Sequence, residues 1–195
     1  MMRLLTGALL LLAATCATAQ TRAWNFRVFL DEREIGRHRF TLRAEGTERE
    51  LRSEANFEVK ILGFTAYRYA HEATERWAGD CLRSLASRTE DNGEKLAVDW
   101  HAQGGDCSMS FAYWNPRLIE LAATHLLNAQ TGALVPVSVQ PQGEETLEVR
   151  GRPVPARRYR LSGPDLSIDL WFSGRDWVAL ESTAKGGRRL RYRLI

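Results

Sequence analysis

Hydrophobic and polar residues alternate with a period of two along most of the chain after residue 20. The clearest alternation places Leu51, Ser53, Ala55, Phe57, Val59 and Ile61 on one face and Arg52, Glu54, Asn56, Glu58 and Lys60 on the other. Successive side chains of a β-strand point to opposite faces, so this pattern predicts a strand with one buried and one solvated face. Residues 24–30 and 38–44 alternate in the same way, and together the segments predict an antiparallel meander.

Turn signals separate further strand candidates in the rest of the chain. Asn92-Gly93 is typical of a two-residue hairpin turn, because both residues tolerate positive φ. Later candidates are residues 109–114, 135–139, 147–149, 156–161, 166–172, 177–182 and 189–194. We therefore predict an all-β fold of about ten to twelve strands, in which a strongly curved antiparallel sheet forms a barrel, half-barrel or sandwich.

One short helix is predicted after Asn115. Asn115 can cap a helix, Pro116 suits the first helical position, and Leu118, Ile119, Ala122 and Ala123 follow at helical spacing.

The N-terminal residues predict export. Arg3 precedes an apolar run from residue 4 to 14, and Ala17-Thr18-Ala19 supplies small residues for cleavage before Gln20. This is the pattern of a signal peptide over residues 1–19, too short for a membrane span, and no later segment is apolar enough to cross a bilayer. We expect a periplasmic or secreted protein, with a lipoprotein anchored through Cys16 as the alternative.

The remaining residues, 20–195, suffice for a single β-rich domain. They carry 26 basic and 24 acidic residues, a balance that together with export argues against nucleic acid as a partner. Cys81 and Cys107 are the two cysteines left after cleavage. An even number in an exported protein favours a disulfide, and two buried free thiols are the alternative.

The motif His71-Glu-Ala-Thr-Glu75 lacks one histidine of the His-Glu-x-x-His zinc motif. Its composition favours helix, but its alternation and its position between a strand and a hairpin favour strand. On a strand, residues four apart lie about 13 Å apart and cannot ligate one ion. We therefore predict neither a metal site nor a cofactor.

If the arginines of this strand face water, its aromatic residues face the interior. A buried histidine or glutamate there must be hydrogen-bonded, as in a Tyr–His–Glu core network. The alternative is a partly hydrated cavity that suits an amphipathic ligand. The candidate ligand-binding residues are Tyr67, Tyr69, His71, Trp77, Phe111 and Trp114.

Two serines, Ser108 and Ser110, are weak nucleophile candidates, because no Gly-x-Ser-x-Gly motif surrounds them and no spacing pairs them with a histidine and an acid. We assign no catalytic residue. Basic residues are frequent at 150–160 and 185–193, where they form either a solvated strand face or a patch for an anionic lipid or cell-wall polymer.

Three segments carry a family resemblance: NFEVKILGFTAYRYAHEATERWAGDCL, DCSMSFAYWNP and LLNAQTG. They resemble a family of exported bacterial proteins classed only as a domain of unknown function, across nearly the whole mature chain. The resemblance implies a β-rich periplasmic domain, related to curved-sheet folds that carry lipids or lipoproteins. It implies no established activity, so it transfers no functional residue.

These observations favour a non-enzymatic envelope protein that binds an apolar or amphipathic ligand, such as a lipid. A structural or assembly partner of other envelope proteins, without an internal ligand, is the second hypothesis, and a hydrolase is the third.

Overall fold

The alternating segments form strands, and the strands join into one sheet. The computed structural model describes residues 19–195, apart from the side chain of Lys185. The strands are β1 (Gln20–Leu30), β2 (Arg33–Glu45), β3 (Glu48–Ile61), β4 (Phe64–Ala78), β5 (Cys81–Asp91), β6 (Glu94–His101), β7 (Met109–Ser110), β8 (Ala123–Leu127), β9 (Leu134–Val149), β10 (Arg152–Gly163), β11 (Leu166–Ser173), β12 (Asp176–Thr183) and β13 (Arg189–Leu194). The all-β prediction is confirmed, with thirteen strands rather than ten to twelve.

The sheet has the spatial order β6-β5-β4-β3-β2-β1-β13-β12-β11-β10-β9-β8-β7. Every pair is antiparallel except β7 with β8. The far edge of the sheet returns to β5, because the backbone N–H of Leu82 donates to the carbonyl of Ser108 at 2.8 Å. This contact lies just beyond the end of β6, so the curved sheet closes into a barrel-like form. The predicted curvature is therefore confirmed.

The two ends of this barrel differ, and we name them by their turns. The upper end carries the β1–β2, β3–β4 and β5–β6 turns, and the lower end carries the β2–β3 and β4–β5 turns. The Asn92-Gly93 hairpin turn forms as predicted, with φ of 51° and 95°.

The predicted helix forms as a single 3₁₀ turn, Pro116–Glu120, with a second 3₁₀ turn at Lys185–Gly187. The Asn115 side chain accepts a hydrogen bond from the backbone N–H of Arg117 at 3.0 Å, which confirms the cap. The helix was predicted to continue through Ala123, but that residue begins β8. The backbone N–H and C=O groups there bond to β9 rather than within a helix.

Two strand predictions also change. Residues 135–139 and 147–149 belong to one long strand, β9, which pairs with β10 along its length. The strand predicted at residues 109–114 ends after Ser110, and the chain then enters the interior.

The chain between β7 and β8 fills the lower interior. The buried hydrophobic side chains from residues 109–127 are Met109, Ala112, Trp114, Leu118, Leu126 and Leu127, and they pack against Trp24, Trp77, Leu85, Phe172 and Trp177 of the sheet. The two segments DCSMSFAYWNP and LLNAQTG therefore contribute an internal plug of the barrel.

A disulfide joins Cys81 to Cys107, which confirms the predicted pairing. It fixes the start of β5 to the residues that lead into the plug. Among the described residues, the helices are too short to cross a membrane. Residues 1–18 of the predicted signal peptide lie outside the described residues.

Candidate functional site

The segment with the incomplete zinc motif is strand β4, as predicted. Its inner face carries Tyr67, Tyr69 and His71 toward the upper end, and Glu75 and Trp77 toward the lower end. Because the chain is extended, His71 and Glu75 are held about 13 Å apart along the strand. Within residues 19–195, no group of three or more metal-ligating side chains comes together.

The six candidate ligand-binding residues divide between the two ends. Tyr67, Tyr69 and His71 are neighbours on β4 at the upper end. Trp77 and Trp114 lie in the lower core, 0% and 4% exposed, with ring centroids 5.4 Å apart in an edge-to-face contact. Phe111 packs at the rim of this core. The structure therefore brings together two groups of three rather than one lining.

The indole N–H of Trp114 has no hydrogen-bond partner among the described residues. An unpaired buried donor costs roughly 1–3 kcal/mol. Packing of the Trp114 ring against Trp77 must offset this cost, because the indole N–H gains no hydrogen bond.

Hydrogen bonds connect polar side chains on the upper inner face. Nε2 of His38 lies 2.7 Å from Oγ of Ser53, and Nδ1 lies 3.3 Å from the hydroxyl of Tyr192. Nδ1 of His71 lies 2.8 Å from the hydroxyl of Thr89. We call these two hydrogen-bonded groups, His38 with Ser53 and Tyr192 and His71 with Thr89, the polar layer.

The polar layer follows from strand register. His38 lies opposite Ala55 on β3, and Ala55 lies opposite His71 on β4, so one cross-strand row carries both histidines. The sequence shows that each faces inward, but only the pairing register shows that they share a row.

Burial keeps the polar layer uncharged at neutral pH. Burial, with a contribution from nearby His71, lowers the pKa of His38 to about 3. Burial also lowers the pKa of His71 and raises the pKa of the Tyr192 hydroxyl far above its usual range. Burial and the neighbouring Asp91 raise the pKa of Tyr69 to about 12. The upper interior therefore offers hydrogen bonds without formal charge.

Half-buried apolar and aromatic side chains surround the polar layer at the upper end. They are Leu30, Phe57, Tyr67, Tyr69 and Leu190, which we call the upper mouth. The rings of Phe57 and Tyr69 stack with centroids 5.3 Å apart and an interplanar angle of 11°. The Tyr69 hydroxyl donates to the side-chain oxygen of Gln130 at 3.3 Å, so the β8–β9 turn also reaches this region.

Glycine allows β2 to pass close to β3 behind Phe57. Gly36 has a φ of 152°, and a Cβ placed there would lie 2.0 Å from the backbone oxygen of Asn56. Only glycine fits without moving the strand. A substitution there would therefore displace the wall of the upper mouth.

Glu75 joins β4 to the internal plug at the lower end. Its two carboxyl oxygens accept hydrogen bonds from the Trp77 indole at 3.0 Å and the Ser110 hydroxyl at 2.9 Å. Complete burial raises its pKa to about 7, against the lowering effect of these two donors. The expected Tyr–His–Glu network does not form, because His71 bonds to Thr89 instead.

Neither predicted serine forms a catalytic pair in this geometry. Ser110 donates to the carboxyl of Glu75. Within residues 19–195, a serine and a histidine do form a hydrogen bond, Ser53 with Nε2 of His38, but this pair was not predicted, because the two residues are 15 positions apart on different strands. Its histidine is a weak base with a pKa of about 3, and its other ring nitrogen contacts a tyrosine rather than a carboxylate.

Carboxylates pair with several of the C-terminal basic residues. Arg188 bonds to Asp31 at 2.9 Å, Arg191 to Glu32 at 2.6 Å, and Arg189 to Glu181 at 3.2 Å. Arg158 and Arg160 both contact Asp169. This arrangement matches the solvated strand face better than an anion-binding patch.

An open cleft of about 580 Å³ lies on the outer face of β3 to β6. Its charged lining is Arg52, Glu54, Glu72, Arg88 and Asp99, and none of the six candidate ligand-binding residues lines it. The mixed charges favour no particular ligand.

A family model covers residues 26–195 and describes a domain of unknown function, DUF6134. The chain belongs to the DUF6134 family. A search of curated proteins finds no match.

Among solved structures, this DUF6134 chain is similar to the crystal structure of a beta-barrel-like protein of another domain of unknown function, DUF1849, from Brucella abortus. The similarity covers 94% of this chain and 98% of that one, with a TM-score of 0.61 and 11% identity. At this identity the likeness shows a shared barrel-like fold.

Proposed function

We propose that this DUF6134 protein is an exported, non-enzymatic envelope protein that binds an apolar or amphipathic ligand at its upper mouth. The signal-peptide pattern of residues 1–19 and the Cys81–Cys107 disulfide support a periplasmic or secreted location, because disulfides persist in oxidising compartments. Anchoring through Cys16 remains the alternative form of the same location.

One observation carries the proposal: half-buried apolar and aromatic rings surround an uncharged polar layer at the upper mouth. The part of these rings that remains accessible favours contact with acyl or other apolar groups. The imidazoles and hydroxyls below them bond to one another, so they present an uncharged polar surface to a neutral or weakly polar group without the desolvation cost of a buried charge. An amphipathic molecule matches this arrangement, with its apolar part against the rings and its polar part toward the polar layer.

The experiment combines native mass spectrometry with a dye-binding assay. Protein purified from its own envelope extract should carry an additional mass in the range of a lipid. The neutral apolar dye N-phenyl-1-naphthylamine should bind to the chain from Gln20 onward, and Tyr67→Ala should weaken this binding about fivefold through loss of ring contact area.

The matched control is Phe29→Ala, which removes a half-buried ring that lies among Arg27 and Arg193 on the outer face. It should leave dye affinity unchanged. If the purified protein carries no added mass and Tyr67→Ala binds the dye like wild type, ligand binding at the upper mouth is wrong.

A second function, assembly with other envelope proteins without an internal ligand, is favoured by the filled lower interior. Trp77, Leu82, Leu85, Leu118 and Leu126 are all 0% exposed, so this half of the barrel is a packed core. Recovery of a stoichiometric protein complex, with no small-molecule mass, would favour this role.

A further inference from the structure

The β3–β4 turn displays an apolar cap at the upper end. The side chains of Ile61, Leu62 and Phe64 are 58%, 93% and 80% exposed. Five large hydrophobic residues are exposed among residues 19–195, and three of them lie within these four consecutive positions. We call Ile61, Leu62 and Phe64 the apolar cap.

Local backbone energetics make the apolar cap unusual. Leu62 has a φ of 50°, a left-handed conformation that glycine, asparagine and aspartate adopt more readily than leucine. The other described non-glycine residues with positive φ are Asp31, Asn92 and Arg150. Leu62 contributes almost no burial in return, so folding does not explain a leucine at this position.

Basic side chains lie directly behind the apolar cap. Lys60 pairs with Thr65 in the next row of the hairpin, and Arg33 donates to the backbone oxygen of Lys60. Arg68 follows in the row of Glu58, and Glu58 contacts both Lys60 and Arg68. This collar of Arg33, Lys60 and Arg68 with Glu58 carries three positive charges and one negative charge.

Acidic residues of the two neighbouring turns reduce this positive charge only in part. Asp31 and Glu32 of the β1–β2 turn bond to Arg188 and Arg191. Asp91 of the β5–β6 turn interacts with the neutral Tyr67 hydroxyl and keeps its charge, so the collar together with Asp91 has a net charge of +1. The apolar cap is therefore the part of the upper end where exposed hydrophobic groups and a net positive charge coincide.

We propose that the apolar cap inserts into an anionic phospholipid surface, with Arg33, Lys60 and Arg68 at the level of the headgroups. The cap is about two strand residues deep, roughly 7 Å, which matches the 5–10 Å that interfacial elements penetrate. Phosphate groups attract the collar, and the acyl boundary receives Leu62 and Phe64. This surface is separate from the ligand proposed for the upper mouth, although insertion would place that mouth against the bilayer.

Vesicle flotation tests the proposal with the chain from Gln20 onward, which contains all thirteen strands. Wild type should float with phosphatidylglycerol-rich vesicles at low salt, and less with phosphatidylcholine vesicles. The double variant Leu62→Asn with Phe64→Ser should lose at least about tenfold in partitioning, because it removes most of the inserted apolar area. Asparagine suits the positive φ at position 62, so the hairpin should keep its shape.

Leu134→Ser is the matched control, since Leu134 is 56% exposed and lies outside the apolar cap. It should float like wild type. Phe64→Trp adds a spectroscopic measurement: the indole emission should shift to shorter wavelength with anionic vesicles, and brominated lipids should quench it.

Three results would overturn the proposal, two from flotation and one from sedimentation. The first two are failure of wild type to float with anionic vesicles at low salt, and equal flotation of the double variant. The third is a dimer by sedimentation velocity that the double variant abolishes, which would assign the apolar cap to a second copy of the chain. Dye binding at the upper mouth is measured without vesicles, so its failure is distinguishable from failure of insertion.

Discussion

At the upper end of the interior, imidazoles and hydroxyls bond to one another among half-buried rings. At the lower end, a single carboxyl bonds to Trp77 and Ser110 inside a packed core of tryptophans and leucines. Burial disfavours the charged form of the titratable group at both ends, and it therefore shifts the two pKa values in opposite directions. His38 has its pKa lowered to about 3, and Glu75 has its pKa raised to about 7.

Because of this difference, lowering the pH should stabilise the lower end and destabilise the upper end. Lowering the pH favours the protonated, neutral form of Glu75, which the lower core accommodates. The same change favours the charged form of His38, which the upper interior disfavours. The tightly packed lower end stabilises the barrel, whereas the half-buried upper end is where we propose that a ligand binds.

The largest effect should come from truncating the packed end. Trp77→Ala removes a fully buried ring, its contact with Trp114 and one donor to Glu75. We expect the free energy of unfolding to fall by about 3–5 kcal/mol in urea titrations. Tyr67→Ala, at the half-buried upper mouth, should cost about 1 kcal/mol. Equal losses from the two variants would remove the distinction between the ends.

An intermediate effect should appear in the pH dependence of the lower end. The folded-state pKa of Glu75 is about 7, against 4.5 for an ordinary glutamate. Its stabilising contribution is therefore complete below about pH 4.5 and is lost as the pH rises through 7. Between pH 4.5 and 7 the free energy of unfolding of wild type should fall by about 2–4 kcal/mol because Glu75 ionises. The variant Glu75→Gln should not show this fall.

Glu72→Gln is the control for this measurement, because Glu72 is exposed on the opposite face of the same strand. Its unfolding free energy should follow the wild-type pH profile. If the unfolding free energy of Glu75→Gln falls between pH 4.5 and 7 as steeply as that of wild type, the raised pKa of Glu75 is not the cause of the fall.

The smallest effect at neutral pH should come from the upper end. His38→Gln keeps a polar side chain beside Ser53 and should lower the unfolding free energy by about 1–2 kcal/mol at pH 7. The folded-state pKa of His38 is depressed, so its contribution is present above pH 6.5 and is lost as the pH falls toward 3. The free-energy gap between wild type and variant should therefore shrink with acid and reverse before pH 4, because wild type loses about 1.4 kcal/mol per pH unit below pH 6.5.

Chemical denaturation at several pH values measures how this difference in unfolding free energy changes. His101→Gln, which changes an exposed histidine on β6, serves as the control and should match wild type throughout. A gap between wild type and His38→Gln that stays constant from pH 7 to 4 would show that His38 does not titrate as its burial requires.

The sequence by itself determined the local elements of this protein. The alternation at residues 51–61 and 67–77 set the inner and outer faces of β3 and β4, because the direction of each side chain on a strand depends only on its position. Asn115 and Pro116 set the start of the short helix, and the cysteine count set the Cys81–Cys107 bridge. These features depend on near neighbours or on simple counting.

The tertiary structure alone decided which inner residues meet. Glu75 and Ser110 are 35 positions apart, and Tyr192 reaches His38 from 154 positions away. Such contacts depend on register, on a bulge between Val59 and Lys60, and on closure of the barrel at Leu82. No local pattern encodes these quantities, because each results from many strand pairings that form together. For the same reason, alternation placed Trp77 and Tyr67 on one face but could not assign them to opposite ends of the interior with different neighbours.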